Sequence, residues 1–215
     1  MPTSIEYKNE EPYVKNIFDT ISTTIIFISQ AYSHFNAYSF GELTDEESRQ
    51  LKNEIFTFQN MASQFVLVVQ FCKLMENKVQ GDKGESSLYK LNNLLQKKYP
   101  DDFKEHSKNV KILKEIQKSK IFGLVSDLRN KSYGHADNHP LNKPLTFIFF
   151  KKPETSEFKE MLLKAIEVFK NCYRLYDIGT GFHHFYDSGS PKNFLKSYLR
   201  NKAFWYDKHR RNQSD

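Results

Sequence analysis

The stretch VKILKEIQKSKIFGLVSDLRNKSYGHAD, residues 110–137, carries both a fold signal and a chemical one. Val110, Leu113, Ile116, Ile121, Leu124, Val125 and Leu128 fall at helical spacing, so they predict one long amphipathic helix over residues 101–133, opened after Pro100. Gly134 suits a left-handed C′ position, and Asn138 and Pro140 follow as further stop signals. Six residues of unbroken helix turn through about 600°, which would leave His135 roughly 120° away from Arg129. A turn at Gly134 instead lets His135 fold back toward Arg129. Arginine is a permanent cation with a planar fork matched to phosphate oxygens, and imidazole exchanges a proton near neutral pH. Such a pair suits phosphodiester chemistry without a metal.

Outward from this stretch the chain reads as further helices. Residues 12–38 carry Ile17, Ile21, Ile25, Ile28, Tyr32 and Phe35 on one stripe. A second helix is expected after Thr44, with Thr44 as N-cap and Glu47 in a capping-box position, running to about Asn77. Its expected stripe is Leu51, Ile55, Phe58, Ala62, Phe65, Val69 and Cys72. Gly, Asp, Lys, Glu and Ser dominate residues 78–86 and predict a loop, followed by a short helix near 87–98. Gly123 suits close packing or a bend. Residues 145–150, LTFIFF between two prolines, are β-prone and predict a short extended segment. Helical spacing returns over 154–178, with Phe158, Met161, Leu162, Ala165, Phe169, Cys172 and Tyr176 as core. Residues 191–206 predict a final helix.

Composition sets the bounds. The chain has 215 residues, 39% of them hydrophobic and 15% aromatic, with eight glycines and seven prolines. These proportions fit an all-α domain over residues 1–190, with a basic, aromatic helix and tail over 191–215 docked on it. From Lys192 to Arg211, Phe194, Tyr198, Phe204, Trp205 and Tyr206 interleave with basic residues. That pattern serves either stacking on unpaired RNA bases or docking onto the bundle. A formal charge of +6 favours a polyanion or an acidic protein surface. Cys72 and Cys172 sit in apolar patterns and read as buried thiols. Early glutamates and the short apolar run at Ile21–Ser29 predict neither a secretory signal nor a membrane span, hence a cytoplasmic protein.

Arg129, Asn130 and His135, within the string RNKSYGHAD, resemble the motif of the HEPN domains, which is an arginine, a polar residue and a histidine four to six residues on. The fuller string resembles the abortive-infection branch of that family. The resemblance implies an up-and-down helical bundle that homodimerises, so that two motif copies form one metal-independent ribonuclease site. It makes Arg129 the phosphate clamp, His135 the proton-transfer group and Asn130 a positioning residue, with Lys131 and Tyr133 as accessory substrate contacts. It further implies a setting in phage defence or a toxin–antitoxin pair, with RNA as substrate, an antitoxin protein as a partner and no cofactor. One toxin subfamily carries a tyrosine two residues after the histidine, where this chain has Asp137, and its spacing is one residue shorter. That subfamily's antitoxin mechanism is therefore not implied.

Other readings stay open at this level. Arg129 would pair with acidic neighbours and His135 cap the helix end in a purely structural role. A HEPN module that binds RNA or a protein without cleaving is the functional alternative. His135, Asp137 and His139 are metal-ligating residue types, but they lack the HExxH pattern, and no functional metal site is expected. Nucleotide-cradling glycine loops and a serine nucleophile elbow are absent from the sequence.

Overall fold

The computed structural model describes residues 9–41, 44–51, 54–77, 86–130 and 150–176, and these are helical throughout apart from the connecting turns. The elements are α1 (Pro12–Phe40), α2 (Asp45–Leu51), α3 (Glu54–Leu74), α4 (Leu88–Lys98), α5 (His106–Lys118), α6 (Lys120–Leu128) and α7 (Lys152–Tyr173), the last followed by a 3₁₀ turn at Arg174–Tyr176. Among the described residues no helix is long and apolar enough to cross a membrane. The expected segments at 145–149 and 191–206, and the 78–85 loop, lie outside the described residues.

α1 begins with proline at its first position, where the missing N–H costs nothing, and buries the expected stripe from Ile17 to Phe35. It stops at Gly41, whose N–H donates to the Ala37 carbonyl at 3.1 Å. A Cβ there would stand 2.4 Å from that oxygen, so only glycine closes the turn unstrained. α1 and α3 run antiparallel, with Tyr38 edge-on to Phe56 at 5.8 Å and Ser39 bonded to Asn60. α7 crosses this pair through aromatic rings: Phe158 lies 5.2 Å from Phe71, and Phe18 packs against Phe169 and Tyr173.

The helix expected over 44–77 is two helices, and its buried face differs from the expected stripe. Phe58 is 69% exposed, Phe65 is also exposed and Ala62 and Val69 are half-buried, whereas Phe56, Gln64, Leu67, Val68, Phe71, Leu74 and Met75 are inside. Cys72 alone of the described stripe side chains is buried as expected; Leu51, Ile55 and Glu47 fall outside the described side chains. α3 is apolar on nearly every side, so periodicity could not select its core face.

The motif-bearing helix is also divided. Ser119 takes an extended conformation, its Oγ accepts from the Phe122 N–H, and both its own N–H and its hydroxyl donate to the Ile116 carbonyl. One serine thus closes α5 and caps α6. Leu113, Ile116, Ile121, Val125 and Leu128 are buried as expected, with Val110 and Leu124 half-buried. Gly123 is neither a bend nor a close approach: it is exposed, and an added Cβ would meet nothing within 4 Å. In α7 every expected core residue is buried.

Candidate active site

α6 reaches the end of the bundle along α3. Phe122 packs edge-on to Phe71 at 6.4 Å, and the Cys72 thiol lies 4.0 Å from the Val125 carbonyl. The last turn widens at 129–130, and the Arg129 N–H is shared between the carbonyls of Val125 and Ser126. Arg129 is half-buried and Asn130 exposed, so the helix delivers both to its C-terminal rim. A cation there meets the negative end of the helix dipole favourably.

The charge of Arg129 is felt at Cys72, near the end of α3. Burial pushes the Cys72 thiol up to about 11, the positive charge of Arg129 pulls against that rise, and Glu76 adds to it. The thiol is therefore protonated and inert near neutral pH. Cys172, wholly buried, is raised further by desolvation, and both cysteines are free, as their apolar settings led us to expect. The ion pairs recorded among the described residues join Arg49 to Glu46, Lys98 to Glu10 and Glu11, Lys108 to Glu167 and Lys164 to Glu115. Arg129 takes part in none of them. Lys131, Tyr133 and His135, with Asp137 and His139, lie outside the described residues. Among the described residues no cluster of three His, Cys, Asp or Glu side chains has metal-binding geometry.

Two polar clusters went unanticipated. Glu10, whose side chain is wholly buried, accepts from Lys98 Nζ, from the Glu11 N–H at 2.9 Å, from Tyr99 Oη at 2.6 Å and from Tyr176 Oη at 2.8 Å. Burial alone would raise its pKa, but these donors outweigh burial and bring it down to about 2. Burial opposes the charge on Lys98 too, yet its bonds to Glu10 and Glu11 hold it well above the usual lysine range. The second cluster is a ladder of buried amides: Asn171 Nδ2 donates to Asn109 Oδ1 at 2.8 Å, and Asn109 Nδ2 donates to Asn92 Oδ1 at 2.9 Å. It ties α7, α5 and α4 together in the core. Both clusters are structural. The Glu10 oxygens are satisfied by four donors.

Phe150, the first described residue before α7, is buried and donates its N–H to Gln64 Oε1 at 2.9 Å. It thereby satisfies a glutamine sunk in α3. Comparison with protein-family models, with curated proteins and with solved structures finds no match to this chain.

Proposed function

We propose that the chain is a HEPN-type, metal-independent endoribonuclease that works as a homodimer, in phage defence by abortive infection or in a toxin–antitoxin pair. The observation that carries the reading is Arg129: a half-buried arginine at the rim of α6, in no ion pair among the described residues, with exposed Asn130 beside it. An arginine kept for structure would be expected to meet a carboxylate; among the described residues this one meets none, which suits an anion from outside. The helical bundle and the charge of +6 agree with that use.

The chemistry follows from the residue types. An RNA 2′-hydroxyl attacks the adjacent phosphorus and gives its proton to an imidazole, for which His135 is the candidate. The P–O5′ bond breaks, and the leaving oxygen takes a proton from a second acid, for which the partner copy's motif is the source. The products are a 2′,3′-cyclic phosphate and a 5′-hydroxyl. Arg129 balances the charge that grows on the phosphorane oxygens, an interaction worth several kcal/mol in a water-poor site. Asn130 positions the motif, and Lys131 and Tyr133 touch the substrate.

Single-stranded RNA incubated with the purified chain in EDTA tests this. Cleavage leaving cyclic phosphate ends is expected, falling at least ~100-fold in both Arg129→Ala and His135→Ala. Arg129→Ala should also leave stability within about 0.5 kcal/mol of the parent, because no recorded ion pair is lost. RNA binding without cleavage, indifferent to both substitutions, would mark a non-catalytic HEPN module instead.

A further inference from the structure

Phe58 and Ala62 of the expected α3 stripe line a groove between α1 and α3 of about 530 Å³. Phe27, Ala31 and His34 of α1 and Phe58, Ala62 and Val66 of α3 form its walls, and three glutamines and a serine complete them. Phe27 is 53% exposed and Phe58 69%. Two phenylalanines held in water beside an apolar hollow represent a few kcal/mol of unrealised burial.

The geometry points to this α1/α3 face as the surface through which two copies of the chain associate, Phe27 and Phe58 of each copy entering the groove of the other. Three observations select a second copy as the occupant. First, among the described residues no lysine, arginine, aspartate or glutamate lines the groove, although the chain carries 32 basic residues and a net charge of +6. A like-charged copy can approach closely only through an uncharged face, whereas an RNA strand would need cations for its phosphates and an acidic partner would need them for its carboxylates. Second, the face has both a hollow and projecting rings, which a two-fold axis makes mutually complementary. Third, three of its polar groups are carboxamides, each both donor and acceptor, beside Ser63 and His34, and Gln59 Oε1 is shielded from water with no hydrogen-bond partner among the described residues. An amide from a second copy supplies the missing donor.

The proposal gives a surface to the two-copy assembly proposed above and rests on that reading only for the dimer's link to catalysis. That link has a structural path, since Val66 in the groove and Cys72, which feels the charge of Arg129, are on the same helix, about 9 Å apart along its axis.

Sedimentation equilibrium of the full chain, with RNA cleavage measured in parallel, is the test. The wild type should sediment at twice 25.4 kDa, and Phe58→Glu and Phe27→Glu should each raise the dimer dissociation constant at least tenfold with helicity unchanged. Folding is not at risk at side chains this exposed. A wild type that stays monomeric at high concentration overturns the proposal, as does one whose dimer survives both substitutions; the second result would leave the shared active site standing on another face. A monomeric wild type whose RNA affinity falls in Phe58→Glu would overturn it in favour of a base-stacking groove. Monomeric variants that still cleave would uphold the interface and defeat the shared site.

Discussion

A carboxylate wholly out of water persists only where donors replace its hydration, and Glu10 has four. They come from the turn before α1, the end of α4 and the end of α7, so one side chain fastens three segments. Its folded pKa of about 2 lies below the ordinary 4.5. The resulting stabilisation, on the order of 3 kcal/mol, is complete above pH 4.5 and is lost as pH falls from 4.5 toward 2. Glu10→Gln is expected to cost about 2–3 kcal/mol at pH 7 and almost nothing at pH 2. Urea unfolding of both proteins across that range checks it; parallel curves would show that the charge contributes nothing. Nothing near Glu10 in the sequence announces this role, because Lys98, Tyr99 and Tyr176 lie 88, 89 and 166 residues away. Arg129 stands out as a candidate for the opposite reason: its helix, its position near a stop signal and its chemistry are all local.

Among the elements, legibility followed contrast between faces. α7 alternates charged and apolar residues cleanly, and every residue read as its core is buried, with Ile166 and Val168 added by the structure. α3 offers no contrast, and Phe58 and Phe65 of the stripe chosen for it proved to lie on its outer side. The division at Ser119 left one trace, the five-residue step from Ile116 to Ile121, which is longer than a helix face allows. Gly123 sits inside α6 with open space where a Cβ would go, so Gly123→Ala is expected to stabilise the protein by about 0.5–1 kcal/mol. A higher thermal midpoint with unchanged cleavage would check it. The amide ladder across α4, α5 and α7 makes the opposite forecast. Asn109 is its middle rung, donating to Asn92 and accepting from Asn171. Asn109→Ala therefore strands two buried amides and is expected to cost about 2–4 kcal/mol by denaturant unfolding, more than Asn92→Ala at the end of the ladder.

Over the whole molecule, the phenylalanines divide between two tasks that composition cannot separate. Phe71 is fully buried between Phe122 and Phe158, where it joins α3 to α6 and α7, while Phe58, thirteen positions earlier on the same helix, faces outward into the α1/α3 groove. Which ring does which depends on how α3 is rotated in the bundle, and that rotation is set by its packing on α1 and α6 rather than by α3 itself. Phe71→Ala is expected to cost about 3–5 kcal/mol at any protein concentration, because the cavity it leaves lies within one subunit. Phe58→Ala removes nothing from that interior, so its effect should depend on concentration. If two copies meet at the groove, the wild-type unfolding midpoint rises as protein concentration increases, and the midpoint of Phe58→Ala does not. At high dilution the two proteins should unfold together, within about 0.5 kcal/mol. Denaturation curves at two concentrations a hundredfold apart, on the order of what a resolvable mass-action shift requires, decide the matter. Equal midpoints for the wild type at both would place Phe58 on an unassociated surface.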